Sequence, residues 1–324
     1  MPRLRASSKA RTGPGADLGN GELRIGISGW RYPSWRGKFY PEGLLQHREL
    51  DFASRIFDSV EINGSFYSLQ LPSSYQRWYN ATPTKFLFAI KGGRFITHMK
   101  KLRAVETPLA NFFASGVLAL REKLGPILWQ LPPNLGFDFG RLRDFFTLLP
   151  RDAREAAKLA KKHDNKLKTR AFLKIDPATA GRPLRHAIEV RHPSFMVPEF
   201  FELLRKQKIA FVIADTAGKF PYAEDLTADF IYIRLHGAEK LYVSGYDDPT
   251  LKRWTNRIEH WRKGQQPRDA KLIVKEEFVK DRSGRRLSAE SSGRDIFVYF
   301  DNDAKVHAPF DAIRLGKMLK KSAG

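Results

Sequence analysis

The chain has 324 residues, of which 42% are apolar and 12% aromatic, enough for one large α/β domain or two ordinary ones and too apolar for a disordered chain. It contains no cysteine, which excludes disulfides, thiolate metal sites and a cysteine nucleophile, and suits a reducing, cytoplasmic setting. The net charge of +22 favours polyanionic partners, whereas no apolar stretch approaches the length of a bilayer span, so no membrane partner is expected.

Residues 1–22 are basic, rich in small side chains and without an apolar h-region, and read as a flexible tail rather than a secretory leader. From residue 23 onward short apolar runs recur: RIGIS (24–28), SVEI (59–62), FLFAIK (86–91) and PILWQL (126–131). HAIEV (186–190), AFVIA (210–214), FIYIRL (230–235) and IFVYF (296–300) complete a set of eight. Each is short, and several are β-branched or aromatic-rich, as buried parallel strands require. Helical spacing appears between them, around Phe52–Phe57 and over 73–81, 109–124, 142–149, 198–206, 251–261 and 310–319. Strands alternating with helices over about 300 residues predict an α/β fold of the TIM-type (β/α)8 barrel, a single domain spanning 23–324. A doubly wound sheet would need a Gly-rich turn after the first strand, and SGWRYPSW has one glycine.

Two stretches interrupt the rhythm, at about 150–185 and 264–294, and both read as basic insertions. Residues 151–185 hold eleven Lys/Arg against four acids, and 262–294 hold ten against five. Much of the positive charge thus lies outside the strands.

The strands run into polar groups: Ser28-Gly29-Trp30, Glu61-Ile62-Asn63, Lys91, Gln130, Glu189-Val190-Arg191-His192, Asp215, Arg234-Leu235-His236 and Asp301-Asn302-Asp303. An ionised Glu inside a sheet costs several kcal/mol unless paired. In a barrel the C-terminal strand ends converge on one mouth, where active sites of this fold are built. Glu61, Lys91, His98, Glu189 and His236 are therefore the candidate catalytic groups. Trp30, Asn63, Tyr67, Gln130, Arg191, His192, Asp215, Arg234, Asn302 and Asp303 are the candidate ligand-binding groups. No H-E-x-x-H motif, G-x-S-x-G elbow or P-loop occurs. The metal content is left open: His and carboxylates could hold a divalent ion, and the neighbouring Lys and Arg argue against one.

The segments ISGWRYPSWRGKFYP (27–41), VEINGSFYSL (60–69), FAIKGGRFITH (88–98), LGPILWQLPP (124–133), AIEVRHPSF (187–195), YIRLHG (232–237) and VYFDNDAKVHAP (298–309) together resemble the DUF72, or YecE-like, family. The resemblance implies a TIM-type barrel and carries no activity with it. Phe66, Thr97 and Pro132 join the residues named above as similar to the family's motif positions, and 264–294 is longer than the family's usual connection.

Three functions fit these residues. The first is an enzyme acting on a phosphate-containing anion, such as a nucleic acid, held by Lys91, Arg191 and Arg234. The second is an isomerase or proton-transfer enzyme for a small sugar-like anion. The third is a non-catalytic nucleic-acid-binding protein.

Overall fold

The computed structural model of the protein describes residues 21–167, 170–274 and 293–322. The expected tail and most of the stretch 264–294 lie outside them. Eight parallel strands close into a barrel in chain order. They are β1 (Leu23–Ser28), β2 (Ser59–Ile62), β3 (Leu87–Lys91), β4 (Leu124–Gln130), β5 (His186–Glu189), β6 (Ala210–Asp215), β7 (Phe230–Leu235) and β8 (Asp295–Phe300). Closure is made by β1 pairing with β8, Gly26 opposite Tyr299. Gly26 is required by close approach, since a Cβ there would lie 1.8 Å from the Ser59 carbonyl oxygen.

The helices are α1 (Glu49–Ser54), α2 (Gly64–Tyr67), α3 (Pro72–Asn80), α4 (Glu106–Ala114) and α5 (Phe139–Leu148), then α6 (Ala153–Ala160), α7 (Pro198–Gln207), α8 (Asp248–Arg262) and α9 (His307–Ser322). They pack their apolar faces on the outside of the barrel, with Phe112, Phe145, Phe200, Leu251 and Trp254 in that layer. None of the described helices is long and apolar enough to cross a membrane.

One expectation needs correction. The helix expected over 109–124 ends at Ala114 because Gly116 takes φ +117°, and a 3-10 segment, Val117–Lys123, follows. The stretch 150–185 is fastened to the helical layer. Asp152 caps α6, the Asp164 amide donates to Asn111 on α4, and the Phe172 amide donates to the Ala114 carbonyl. The β6–β7 connection, 216–229, carries no helix. Its Asp225 accepts from the Ile273 and Val274 amides, so residues 273–274 pack on that side.

Inside the barrel, period-2 alternation sorts the residues into layers. Phe230 and Phe297 meet edge to face near the strand starts. Above them Tyr232 and Tyr299 lie 5.2 Å apart, and Ala89, Ala187, Ala210 and Ala214 leave room for these rings. Both tyrosine hydroxyls reach polar atoms: Tyr299 pairs with Ser59 Oγ at 2.6 Å, and Tyr232 donates to Glu61 Oε2 at 2.6 Å. The next layer, at the strand ends, is polar.

Candidate active site

Arg234 is the hub of that layer and is fully buried. Its Nε donates to Glu61 Oε2 (3.1 Å) and its Nη1 to Glu189 Oε2 (2.7 Å). Its Nη2 reaches Glu61 Oε1 (2.9 Å), Asp301 Oδ2 (2.9 Å) and Ser28 Oγ (3.2 Å). Ser28 donates in turn to Glu61, and Asn63 donates to Ser28 Oγ at 3.0 Å. The carboxylates that would converge on a metal ion thus converge on a guanidinium, whose planar fork suits them. Among the described residues no three His, Asp or Glu side chains form a metal-binding group.

Glu189 also accepts from Gln130 Nε2 (2.8 Å) and Arg191 Nε (2.9 Å). Arg191 Nη2 donates to the Tyr242 hydroxyl at 3.1 Å, and its guanidinium stacks on Phe220 at 4.6 Å. Arg234 Nη1 donates to His236 Nε2 at 3.2 Å, which places the proton of that ring on Nδ1. Nδ1 lies 3.0 Å from Asp301 Oδ2, off the line of a good hydrogen bond.

Burial alone would raise the pKa of Glu189 and Asp301, but Arg234 outweighs it and both stay well below the usual carboxylate range. A carboxylate with a lowered folded pKa stabilises the protein above its unfolded pKa of about 4 and loses that contribution as pH falls. Stability is therefore expected to drop steeply below about pH 4, with a shallower slope in Glu189→Gln. Urea midpoints measured from pH 7 to 3 check this, and parallel slopes for the two proteins would contradict it.

Lys91 behaves differently. It is 9% exposed, and among the described residues its ammonium has neither a carboxylate partner nor a hydrogen bond. Its Nζ sits 4.4 Å from the centroid of the Phe66 ring. Burial and then the Arg234 charge lower its pKa to about 8, against the opposing pull of Glu61, Asp301 and Glu189. The His98 ring packs on the same Phe66 ring at 5.0 Å and pairs through Nδ1 with Thr97 Oγ1 at 2.9 Å. Burial, then Lys91 and Arg191, lower the pKa of His98 to about 4. A π-turn, Phe95–Met99, presents it, a backbone form often found at functional sites. Across the mouth, burial and the Asp301 charge raise Asp303 to about 6.

The structure thus brings together Glu61, Asn63, Lys91, His98, Gln130, Glu189, Arg191, Arg234 and His236, with Asp303 at their edge. Other candidates sit elsewhere. Asp215 falls out of step with the inward-facing Ala210, Val212 and Ala214, and its surroundings are Tyr246, Trp254 and Arg253. Asn302 likewise points outward and donates to Asp311 Oδ2 (2.9 Å) and the Ser244 carbonyl (3.0 Å). His192 caps the Pro193–Phe195 turn through Ser194. Trp30 is buried edge-on against Trp78 as wall, and Tyr67, 66% exposed, stands on the rim beside Arg94. Sequence reading passed over Ser28, Tyr232 and Asp301 as site residues, although Asp301 shares the inward parity of Phe297 and Tyr299.

Fold and mouth together define the class: a (β/α)8 barrel protein with an ionic constellation at its C-terminal strand ends. Within that class the chain belongs to the DUF72 family, described as "Protein of unknown function DUF72", whose family model matches residues 24–284. It is similar to the UPF0759 protein YecE of Escherichia coli K12, at 30% identity over 114 residues, 35% of this chain and 39% of YecE. It is also similar to the UPF0759 protein YunF of Bacillus subtilis, at 26% over 116 residues, 34% of this chain and 40% of YunF. The matched segments span about two fifths of these relatives. Among solved structures, a DUF72 protein of Thermotoga maritima superimposes with TM-score 0.62 at 23% identity, covering 92% of this chain and 99% of that one. One from Enterococcus faecalis gives 0.63 at 16%, covering 92% and 95%. These two share the fold.

Proposed function

We propose that the protein is an enzyme that binds a small, hydroxylated, singly charged anion at the barrel mouth and moves a proton on it. The observation that carries this reading is the unpaired, buried ammonium of Lys91 beside His98, in a mouth whose other charges are tied together. Groups held near neutrality in a cleft are what acid–base catalysis needs, and Lys91 near 8 and Asp303 near 6 bracket it. Arg191 Nη1, without a partner among the described residues, is the donor left to hold the anion. Asn63 and Gln130 orient its hydroxyls.

Electrostatics favours the small anion over a phosphate or polyanion. Glu61, Glu189 and Asp301 already balance Arg234, Arg191 and Lys91, so a multiply charged ligand would meet no surplus of positive charge. Of the basic stretches, 150–185 moreover enters at the other end of the barrel. The 150–185 stretch leads into the start of β5. A nucleic acid drawn by the charge of that stretch would meet the N-terminal face, as a partner distinct from the mouth ligand.

Calorimetric titration with glycolate tests the reading. The expected result is saturable binding that weakens at least tenfold in Arg191→Met and is unaffected by a duplex oligonucleotide. Absence of glycolate binding, together with oligonucleotide binding that depends on Arg191, would overturn it in favour of a polyanion site.

A further inference from the structure

We propose that Lys91 is a covalent catalyst, whose Nζ condenses with the carbonyl carbon of an oxo-acid, an aldehyde- or ketone-bearing carboxylate, to form a protonated imine. This rests on the small-anion reading above and names the substrate class for it.

The argument starts from the surroundings of Nζ. A lysine held only for its charge is normally met by a carboxylate, and three lie within the same mouth. All three are engaged elsewhere, Glu61 and Asp301 by Arg234, and Glu189 by Arg234, Arg191 and Gln130. Nζ faces a ring instead, at 4.4 Å. An amine that is desolvated, next to another cation and free of a hydrogen-bonding carboxylate is a nucleophile in waiting. With its pKa near 8, roughly a tenth of it is neutral at pH 7, several hundred times the fraction of an ordinary lysine.

The charge balance of the mouth favours an imine over other uses of the lysine. Overall, the ammonium and the carbonyl give a protonated imine and one water. A C=N double bond replaces the C=O double bond, and the carbonyl oxygen leaves as water with two protons taken from nitrogen. The positive charge stays where the three carboxylates already balance it. The roughly one tenth of Lys91 that is already neutral at pH 7 supplies the Nζ lone pair, and the protons that nitrogen sheds pass through solvent at the open mouth to the departing hydroxyl. Once formed, the protonated imine withdraws electrons from the adjacent carbon, whose proton a neighbouring base can then move. The proton transfer proposed above thereby gains an electron sink. Arg191 Nη1 would hold the substrate carboxylate.

Reductive trapping with glyoxylate, the smallest aldehyde that is also a carboxylate, tests this directly. The full chain is incubated at pH 7 with limiting glyoxylate and cyanoborohydride, and the adducts are mapped by peptide mass. Lys91 is expected to be modified at least tenfold faster than the exposed Lys38 and Lys252, with a rate that rises with pH to a midpoint near 8. Glycolate, which lacks an aldehyde or ketone carbon, should protect it by occupying the mouth. Lys91→Arg keeps the charge and should lose the fast adduct while still binding glycolate. Labelling of Lys91 no faster than that of Lys38 and Lys252 would overturn the imine. If glycolate still binds in that case, the mouth remains an anion site run by acid–base groups alone. If glycolate does not bind either, both readings fall.

Discussion

Replacing Arg234 with Met is expected to destabilise the protein by about 4 kcal/mol at neutral pH, because breaking a buried ion pair from one side strands the other charges. Here the stranded groups are Glu61 and Glu189, both buried, and the partly buried Asp301, all held by one guanidinium. Lysine is not expected to rescue the loss. Arg234 serves Glu61 through Nε and Nη2, Glu189 and His236 through Nη1, and Asp301 and Ser28 through Nη2, and one ammonium cannot span these directions. The penalty should shrink towards pH 4, where the orphaned carboxylates take up protons. The double variant Arg234→Met/Glu61→Gln should recover part of it, since one stranded charge is removed. Urea denaturation at pH 7 and pH 4 decides the matter. A loss below about 1 kcal/mol at pH 7 would mean that water reaches these carboxylates and that the ionic layer is not what closes the barrel top.

The strands were legible because burial on both faces leaves little freedom of composition. SVEI coincides with β2 and FIYIRL with β7, and the other runs fall within two residues of the observed strands. The ring of polar strand ends was legible for the same reason, since a carboxylate such as Glu61 has no place in a buried strand without a partner. The partner itself was not legible: Glu61 and Arg234 are 173 residues apart and meet only because the barrel closes. Which polar residue of a strand end faces inward follows from alternation continued past the apolar run. Asp301 and not Asn302 lies in step with Tyr299, and Ala214 and not Asp215 lies in step with Val212. Short local rules account for the remaining differences. His192 is consumed by the turn it caps, and Gly116 ends a helix that periodicity alone would have prolonged.

Lys91→Met is expected to stabilise the fold while removing function, an opposition that a structural lysine would not produce. A lysine whose folded pKa is lowered carries fewer protons than the unfolded chain between about pH 8 and its ordinary value, so stability should rise with pH through that window. Below it both states are protonated, and the buried charge costs about 3 kcal/mol relative to the neutral amine. Methionine fills much of the same volume against Phe66 without the charge, so a gain of about 1–3 kcal/mol at pH 7 is expected, the shape mismatch of the thioether offsetting part of the relief. The gain should fade at high pH, where the wild-type amine is itself neutral. Denaturant midpoints at pH 7 and pH 10, read beside glyoxylate trapping, separate the alternatives. A destabilised Lys91→Met protein would mean that the ammonium is held by the carboxylates as a fourth member of the Arg234 layer. A stabilised one that no longer traps glyoxylate would identify a charge kept in an unfavourable place for its chemistry.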